Sequence, residues 1–155
     1  MRIRDFAAVD AAACAQILTV AGGVIEAGWP AIDVPEFQRV TEAEEILVAE
    51  QAGQIVGFAS CYRPDRFIHH LYVEPAQWRR GIGRALLTQA VAGLGGPARL
   101  KCQSANLAAR AFYRSLGWTE HPGSWDDRGP WLWLKENGRQ GVSLPAVFVV
   151  NRSEG

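Results

Sequence analysis

The sequence predicts a single α/β domain in which a mixed β-sheet is flanked by helices. The length of 155 residues is typical of one domain with one core. Segments with the two-residue alternation of β-strands are separated by segments whose apolar residues recur at helical spacing. One helical segment follows directly on an internal strand near residue 81. This order is typical of helices packed against a sheet.

The N-terminal part predicts a strand and two helices of unequal length. "MRIRDF" alternates as a strand does, and the alanine-rich stretch from Asp10 to about Val20 predicts a helix with Asp10 as its N-cap. Residues 22–44 are rich in Gly and Pro at their start and polar at their end. We therefore expect a mobile loop there that contains one short helix.

The middle of the chain predicts three antiparallel strands. Residues 45–50 and 54–62 are strand-like runs on either side of a turn at residues 51–53, which predicts a hairpin. Residues 67–73 form the next strand. Pro75 ends it, because proline cannot donate a hydrogen bond to a sheet.

The C-terminal part predicts two amphipathic helices and three strands. Apolar residues recur at helical spacing from residue 81 until "GLGGP" ends that helix. A short strand at residues 98–102 precedes a helix at 106–117, and two strands around a polar loop follow, the second at 131–135. Residues 137–155 are expected to be an extension to a domain of residues 1–136. Its apolar run, "AVFVV", predicts pairing with a sheet edge of this subunit or, in a homodimer, of a second one, and a disordered end is the alternative.

Composition narrows the classes of partner. Sixteen Lys and Arg residues balance sixteen Asp and Glu residues, which argues against a nucleic-acid partner because such proteins carry a basic surface. The N-terminus lacks the apolar core of a signal peptide, and no apolar run approaches the roughly 18 residues that a membrane helix needs. Cys14, Cys61 and Cys102 are scattered, and neither cysteine nor histidine spacing indicates zinc. We therefore expect a cytoplasmic protein without a metal that binds neither nucleic acid nor membrane.

The stretch "FIHHLYVEPAQWRRGIGRALL", residues 67–87, joins a strand to a helix through small and basic residues. A helix that begins at Gly81 presents unpaired N–H groups and the positive end of its dipole, which together favour a phosphate. A P-loop requires Lys and then Ser or Thr after its last glycine, whereas Arg84 and Ala85 follow here. A dinucleotide-binding motif requires a third glycine where Leu86 stands. Both are excluded, and a plain helix start with surface arginines is the alternative.

The same stretch resembles the acetyl-CoA signature of the GCN5-related N-acetyltransferase (GNAT) family. That signature is Gln/Arg-x-x-Gly-x-Gly/Ala after a strand that ends in Val-x-Pro. The residues that match it in register are Val73, Pro75, Gly81, Ile82 and Gly83. Trp78 stands at the family's Gln/Arg position. The side-chain part of the match is therefore weaker, while the backbone amides are unaffected.

A second stretch, "NLAARAFYRSLGW", resembles the family's other signature, Asn-x-x-Ala-x-x-Phe/Leu-Tyr-x-x-x-Gly-Phe. The matching residues are Asn106, Ala109, Phe112, Tyr113, Gly117 and Trp118. Seven positions are nearly two helical turns, so Asn106 and Tyr113 share a helix face about 10 Å apart along the axis. One polar ridge could therefore follow an extended ligand. The resemblance covers the chain from the first strand to about residue 135.

The resemblance implies acetyl-CoA as cosubstrate, bound where the parallel strands at residues 67–73 and 98–102 splay apart. The pantetheine arm would pair with the backbone around Leu71, Tyr72 and Val73. The backbone amides of residues 79–84 would hold the pyrophosphate. The cofactor-binding residues implied in this way are Leu71, Tyr72, Val73, Arg79, Arg80, Gly81, Ile82, Gly83, Arg84, Asn106 and Tyr113.

Transfer of an acetyl group to an amine requires a base, an oxyanion donor and an acid for the leaving thiolate. The resemblance implies Tyr113 as the acid and the Val73 N–H as the oxyanion donor. For the base the sequence offers His69, His70 and Glu74. Strand alternation places His69 and His70 on opposite faces, so only one is expected to face the cleft. Serotonin-type acetyltransferases carry a histidine two residues before the Leu71 position, which favours His69.

Three functions remain open from the sequence. The first is an N-acetyltransferase that acts by direct attack on the primary amine of a small molecule or amino acid. The second is an acetyltransferase for protein lysines or N-termini, and the third is a noncatalytic acyl-CoA-binding module. Acidic and aromatic loop residues could attract a cationic amine. They are Glu26, Trp29, Trp125, Asp126 and Asp127.

Overall fold

The computed structural model describes residues 1–137 and shows a seven-stranded mixed sheet. The helices are α1 (Ala11–Ile25), α2 (Val34–Val40), α3 (Ile82–Leu94) and α4 (Leu107–Ser115). The strands are β1 (Arg2–Asp5), β2 (Glu45–Gln51), β3 (Gln54–Tyr62), β4 (Phe67–Val73), β5 (Arg99–Gln103), β6 (Thr119–Asp126) and β7 (Gly129–Lys135). Their order in the sheet is β1-β2-β3-β4-β5-β7-β6. The predicted α/β fold class is confirmed, and the extension after residue 137 lies outside the described part.

The prediction of a loop from residue 22 was wrong at its start, because α1 continues to Ile25. Gly22 lies inside the helix, where a Cβ atom would come within 2.2 Å of the Trp29 indole nitrogen. That nitrogen donates to the Leu18 carbonyl at 3.1 Å. Glycine is therefore required at this position by close packing, and its presence does not end the helix. The short helix predicted in this region is α2, with Asp33 as its N-cap.

The expectation that no apolar stretch approaches the length of a membrane helix was wrong for residues Ala8–Ile25. They form a helical stretch of 18 residues with a mean hydropathy of 1.7, which by length and composition alone could cross a membrane. The same composition is found in core helices, and one face of α1 is indeed buried. The buried residues on this face include Cys14, Ile17 and Leu18.

Two apolar clusters stabilise the sheet, one on each face. Phe37 of α2 and Phe58 of β3 form the centre of one cluster, with ring centroids 5.4 Å apart in an edge-to-face arrangement. Leu86 of α3 and Phe112 of α4 belong to the other cluster, which covers the opposite face. The two faces of β4 therefore meet different surroundings.

The parallel strands β4 and β5 pair at one position, Phe67 with Arg99. Beyond this pair β4 stays with β3, while β5 pairs with β7 over five residues. The two strands consequently separate toward their carboxyl ends. The sheet is split there, as the splayed strand pair in the predicted fold requires.

Candidate active site

A cavity of about 840 Å³ lies where β4 and β5 separate. Its walls come from the end of α1, from β4 and β5, from the loop before α3, from α4 and from the β6–β7 turn. Among the residues that the sequence predicts, the structure brings the following to this cavity: His69, Leu71, Tyr72, Arg79, Asn106 and Tyr113. The predicted residues that do not line it are Val73, Arg80, Gly81, Ile82, Gly83 and Arg84.

The backbone before α3 is bent by two residues with positive φ. Arg79 has φ 66° and Gly81 has φ 80°, a region that costs a residue with a side chain about 1–2 kcal/mol. Within residues 1–137 the N–H groups of Arg80 and Ile82 have no hydrogen-bond acceptor. Unpaired N–H groups at the positive end of a helix suit an anion. The local structure thus agrees with the chemistry that the glycine stretch predicts.

Trp78 connects this loop to the end of β4. Its indole N–H donates to the carbonyl oxygen of Val73 at 2.8 Å, and the ring also lines the cavity. The tryptophan at the family's Gln/Arg position therefore links the loop before α3 to β4 by a hydrogen bond. It holds Val73, a buried residue, next to the loop that precedes α3.

Asn106 and Tyr113 reach the cavity from α4. Asn106 is the N-cap of the helix, and its Oδ1 accepts from the Ala109 N–H at 3.1 Å. Tyr113 is 4% exposed, and its ring packs on those of Phe112 and Trp118 with centroids 5.0 and 5.2 Å away. The ring therefore belongs to the core while it borders the cavity. Both residues border the cavity, as an extended polar ridge would require, and their role in binding stays a prediction.

The prediction that only one of the two histidines faces the cleft was wrong. In the β3–β4 pairing, Ser60 is opposite His70 and the next residue, Cys61, is opposite Ile68. His69 is thus the extra residue of a β-bulge, which interrupts the alternation of side chains. The rings of His69 and His70 lie with their centroids 3.9 Å apart, and both line the cavity.

The two histidines have different surroundings. The His70 side chain is 11% exposed, and its Nδ1 lies 2.7 Å from the Ser60 hydroxyl. Burial lowers the pKa of His70 to about 3, so its imidazole is neutral at neutral pH. The His69 side chain is 40% exposed, and its Nδ1 lies 2.6 Å from Oε2 of Glu44. His69 therefore presents an oriented and accessible imidazole to the cavity.

Of the five loop residues that were expected to attract a cationic amine, three line the cavity. Glu26, Trp29 and Asp127 line the cavity, whereas Trp125 is 74% exposed and does not. Asp126 does not line it either, and its carboxylate accepts from the Arg128 N–H at 2.8 Å.

Sequence reasoning missed two charged residues, one that lines the cavity and one that contacts the two histidines of its wall. Arg128 forms an ion pair with Glu26 at 3.1 Å and lies over the Trp29 ring, 5.3 Å from its centroid. Glu44 contacts both histidines from the loop before β2. Each is a single charged residue far from its partner in the sequence, so no local pattern could have indicated it.

The cysteines do not take part in the chemistry that this geometry allows. Cys102 lines the cavity, but burial raises the pKa of its thiol to about 11. Burial likewise raises the pKa of Cys14 and of Cys61 to about 12. A thiol must lose its proton to act as a nucleophile, so these three are poor candidates.

A family model described as the acetyltransferase (GNAT) family matches residues 14–118 of the chain. The chain therefore belongs to the GNAT family. Because the matched segment runs from α1 to the end of α4, it contains both stretches on which the sequence resemblance was based.

Individual relatives support the same family. N-alpha-acetyltransferase RimI of Mycobacterium tuberculosis (strain ATCC 25618 / H37Rv) is 38% identical over 76 residues, 44% of this chain and 48% of that protein. The alignment thus spans about half of that relative. A ribosomal-protein-alanine N-acetyltransferase from Brucella melitensis has a similar fold, with a TM-score of 0.72 and 24% identity over 88% of this chain and 99% of that one. PaiA N-acetyltransferase from Thermoplasma acidophilum, solved in complex with coenzyme A, has a similar fold with a TM-score of 0.70. Its sequence identity is 15%, over 85% of this chain and 96% of that one.

Proposed function

We propose that this protein transfers the acetyl group of acetyl-CoA to a primary amine. The observation that carries the proposal is that one cavity, at the split between β4 and β5, is bordered by the loop before α3, by Tyr113 and by His69. A diphosphate site, an acid and a base are the parts that direct acyl transfer requires. Membership in the GNAT family supports the same reaction.

We assign the two sides of the cavity to the two substrates. The cofactor half is the side formed by Trp78, Arg79, Asn106 and Tyr113. There the amides of residues 79–84 would bind the pyrophosphate, and the backbone at Leu71, Tyr72 and Val73 would pair with the pantetheine. The acceptor half is the side formed by Glu26, Trp29, His69, His70 and Arg128.

In the reaction we propose, the amine nitrogen attacks the thioester carbonyl carbon and the C–S bond breaks. His69 takes the proton that the ammonium group must lose, because its imidazole is the accessible one of the pair. The Val73 N–H stabilises the carbonyl oxygen as it gains charge. Tyr113 donates a proton to the departing thiolate. No covalent intermediate on the protein is required.

A small amine or an amino acid is the acceptor we favour, since the Arg128–Glu26 ion pair joins two walls of the acceptor half. A protein N-terminus is the second candidate, and the name of the Mycobacterium tuberculosis relative, N-alpha-acetyltransferase RimI, supports it. These acceptors differ in size, because a peptide extends beyond its reacting amine while a small amine does not.

The decisive experiment measures thiol release from acetyl-CoA with two panels of acceptors. One panel contains small amines and amino acids, and the other contains short peptides with a free N-terminus or an internal lysine. Turnover with the first panel alone is the expected result. Turnover with peptides alone would establish the second candidate, and tight CoA binding without turnover in either panel would show a noncatalytic binding module.

We further propose a cytoplasmic location, since the three cysteines are free and buried. The domain of residues 1–136 and a homodimer formed through residues 137–155 stay predictions. Light scattering of the full chain, compared with a chain that ends at residue 136, tests both.

A further inference from the structure

Three side chains with metal-binding atoms meet beside the bulge of β4. They are Glu44, His69 and His70, and their nearest ligand atoms all lie within 4.8 Å of one another. Glu44 Oε2 is 2.6 Å from His69 Nδ1, and Glu44 Oε1 is 3.8 Å from His70 Nδ1. The carboxylate thus faces both imidazoles with a different oxygen for each.

The Glu44 carboxylate is incompletely satisfied within the described residues. Its side chain is 8% exposed, and Oε1 is buried without a hydrogen-bond partner among residues 1–137. Leaving a buried carboxylate oxygen unpaired costs more than leaving a neutral one unpaired. The hydrogen bond between Glu44 and His69 satisfies only Oε2. A cation between the carboxylate and the imidazoles would satisfy the remaining oxygen.

We propose that Glu44, His69 and His70 bind a divalent transition metal ion of the Zn²⁺ type. Two imidazole nitrogens and one carboxylate oxygen form a donor set that Zn²⁺ accepts in sites with an open fourth position. Zn²⁺ binds such atoms at about 2.0–2.2 Å, so tetrahedral ligands lie roughly 3.4 Å apart. The 3.8 Å between His70 Nδ1 and Glu44 Oε1 is close to this value, whereas His69 Nδ1 and Glu44 Oε2 are hydrogen-bonded at 2.6 Å, so the ion replaces that hydrogen bond.

The surroundings allow an ion to enter and to be held. The His69 side chain is 40% exposed at the cavity, which provides a path from solvent. The His70 Nδ1 that lies 3.8 Å from Glu44 is also 2.7 Å from the Ser60 hydroxyl, so an ion at this nitrogen displaces that hydrogen bond. The Glu44 side chain is 8% exposed and is held by its burial. The bulge is essential to this arrangement, because in a regular strand neighbouring histidines would point to opposite faces.

The binding test titrates the full-length protein with Zn²⁺ against a chromophoric chelator and with Co²⁺ by absorption spectroscopy. We expect one ion per chain and a Co²⁺ spectrum of nitrogen and oxygen ligands. Loss of one ligand should weaken binding at least about 100-fold, since even groups behind the ligands are worth roughly 10–100-fold. Glu44→Gln keeps the size of the side chain, and His69→Ala changes a half-exposed residue, so both variants are expected to fold.

His121→Ala is the matched control, because His121 lies on β6 and is the one histidine of the three outside the cluster. Its Zn²⁺ affinity should equal that of the wild type. Affinity that is unchanged in Glu44→Gln and His69→Ala, or a Co²⁺ spectrum dominated by thiolate charge transfer, would overturn the metal site.

One consequence rests on the proposed function. An ion on His69 removes the base, so Zn²⁺ should inhibit acetyl transfer as its site fills, and EDTA should restore the rate. Zn²⁺ binding without inhibition would contradict the role of His69 as base and leave the metal site established. Absence of binding with normal turnover would overturn the metal site alone.

Discussion

The cofactor half and the acceptor half of the cavity are assembled from different kinds of contact. In the cofactor half, Trp78 and Arg79 precede α3 directly, and Asn106 caps the helix that carries Tyr113. In the acceptor half, Glu26 meets Arg128 and Glu44 meets His69 across more than twenty residues of sequence. Local motifs therefore describe the first half, whereas tertiary packing creates the second. Substitutions can test whether the two halves also act separately.

The largest effect is expected from Tyr113→Phe in the cofactor half. Loss of the acid for the thiolate should reduce kcat about 10³-fold, within the range for a positioned proton donor. The KM for acetyl-CoA should stay close to that of the wild type, because the ring remains in the core. Steady-state kinetics measure both constants. Tyr62→Phe is the control on a 38% exposed tyrosine; raised KM with unchanged kcat in Tyr113→Phe would contradict the assignment.

His69→Ala should give the next largest effect, in the acceptor half. We expect kcat to fall about 10²-fold, since water can partly replace a base that is 40% exposed. Affinity for CoA, measured by calorimetry, should not change. His121→Ala provides the comparison for removal of a histidine. Equal kcat values in the two variants would exclude His69 as the base.

Asp10→Asn tests how the acceptor half is anchored. Asp10 is 5% exposed at the start of α1, and its carboxylate accepts two hydrogen bonds from Arg4 at 2.8 and 3.0 Å. The substitution should lower the free energy of unfolding by about 1–2 kcal/mol at neutral pH, at the low end for bonds to charged groups because Arg4 reaches solvent. Urea unfolding measures the difference, with Asp65→Asn as a surface control.

The Arg4–Asp10 pair should also make the free energy of unfolding depend on pH. The hydrogen bonds from Arg4 hold the pKa of Asp10 below its usual value of 3.8. The ionised Asp10 carboxylate therefore contributes its full stabilisation above the pKa that Asp10 has in the unfolded chain. This stabilisation is lost as the pH falls through the lower pKa of Asp10 in the folded protein. The gap between wild type and Asp10→Asn should shrink below about pH 4. A gap that widens on acidification would show that the ionised carboxylate does not stabilise the fold.

Trp78→Phe should have a smaller effect, confined to the cofactor half. Loss of the indole N–H leaves the Val73 carbonyl without this donor and should cost about 1 kcal/mol of stability. The loop before α3 should loosen, so the KM for acetyl-CoA should rise while the KM for the amine stays constant. Trp125→Phe, on a tryptophan that is 74% exposed, is the matched control. A change in the KM for the amine alone would contradict the assignment of Trp78 to the cofactor half.

The smallest effect is expected from Arg128→Ala in the acceptor half. The Arg128 and Glu26 side chains are 45% and 33% exposed, so their pair should contribute less than about 1 kcal/mol to stability. The KM for the amine should change, because Arg128 also covers the Trp29 ring. Arg39→Ala, which removes a surface pair with Glu36, serves as the control. A change confined to the KM for acetyl-CoA would place Arg128 in the other half.

Features that depend on neighbouring residues were predicted from the sequence, whereas features that depend on contacts between distant segments were not. The starts of α3 and α4 were predicted to within a residue or two, because glycine conformation and capping are decided within a few residues. The extent of α1 was mispredicted, since Gly22 is there to make room for Trp29. The placement of His70 at the cavity beside His69 was mispredicted as well, since the bulge is visible only in the pairing of β4 with β3.

By itself the sequence determined the class of the fold, the order of its elements and the two stretches that define the family. Periodicity, capping and turn chemistry act over a few residues, so they can be read along the chain. Only the tertiary structure decided that both histidines and Arg128 line one cavity and that Glu44 contacts both histidines. Those placements depend on strand register and on contacts between distant segments, and the burial of Glu44 exists only once the chain has folded.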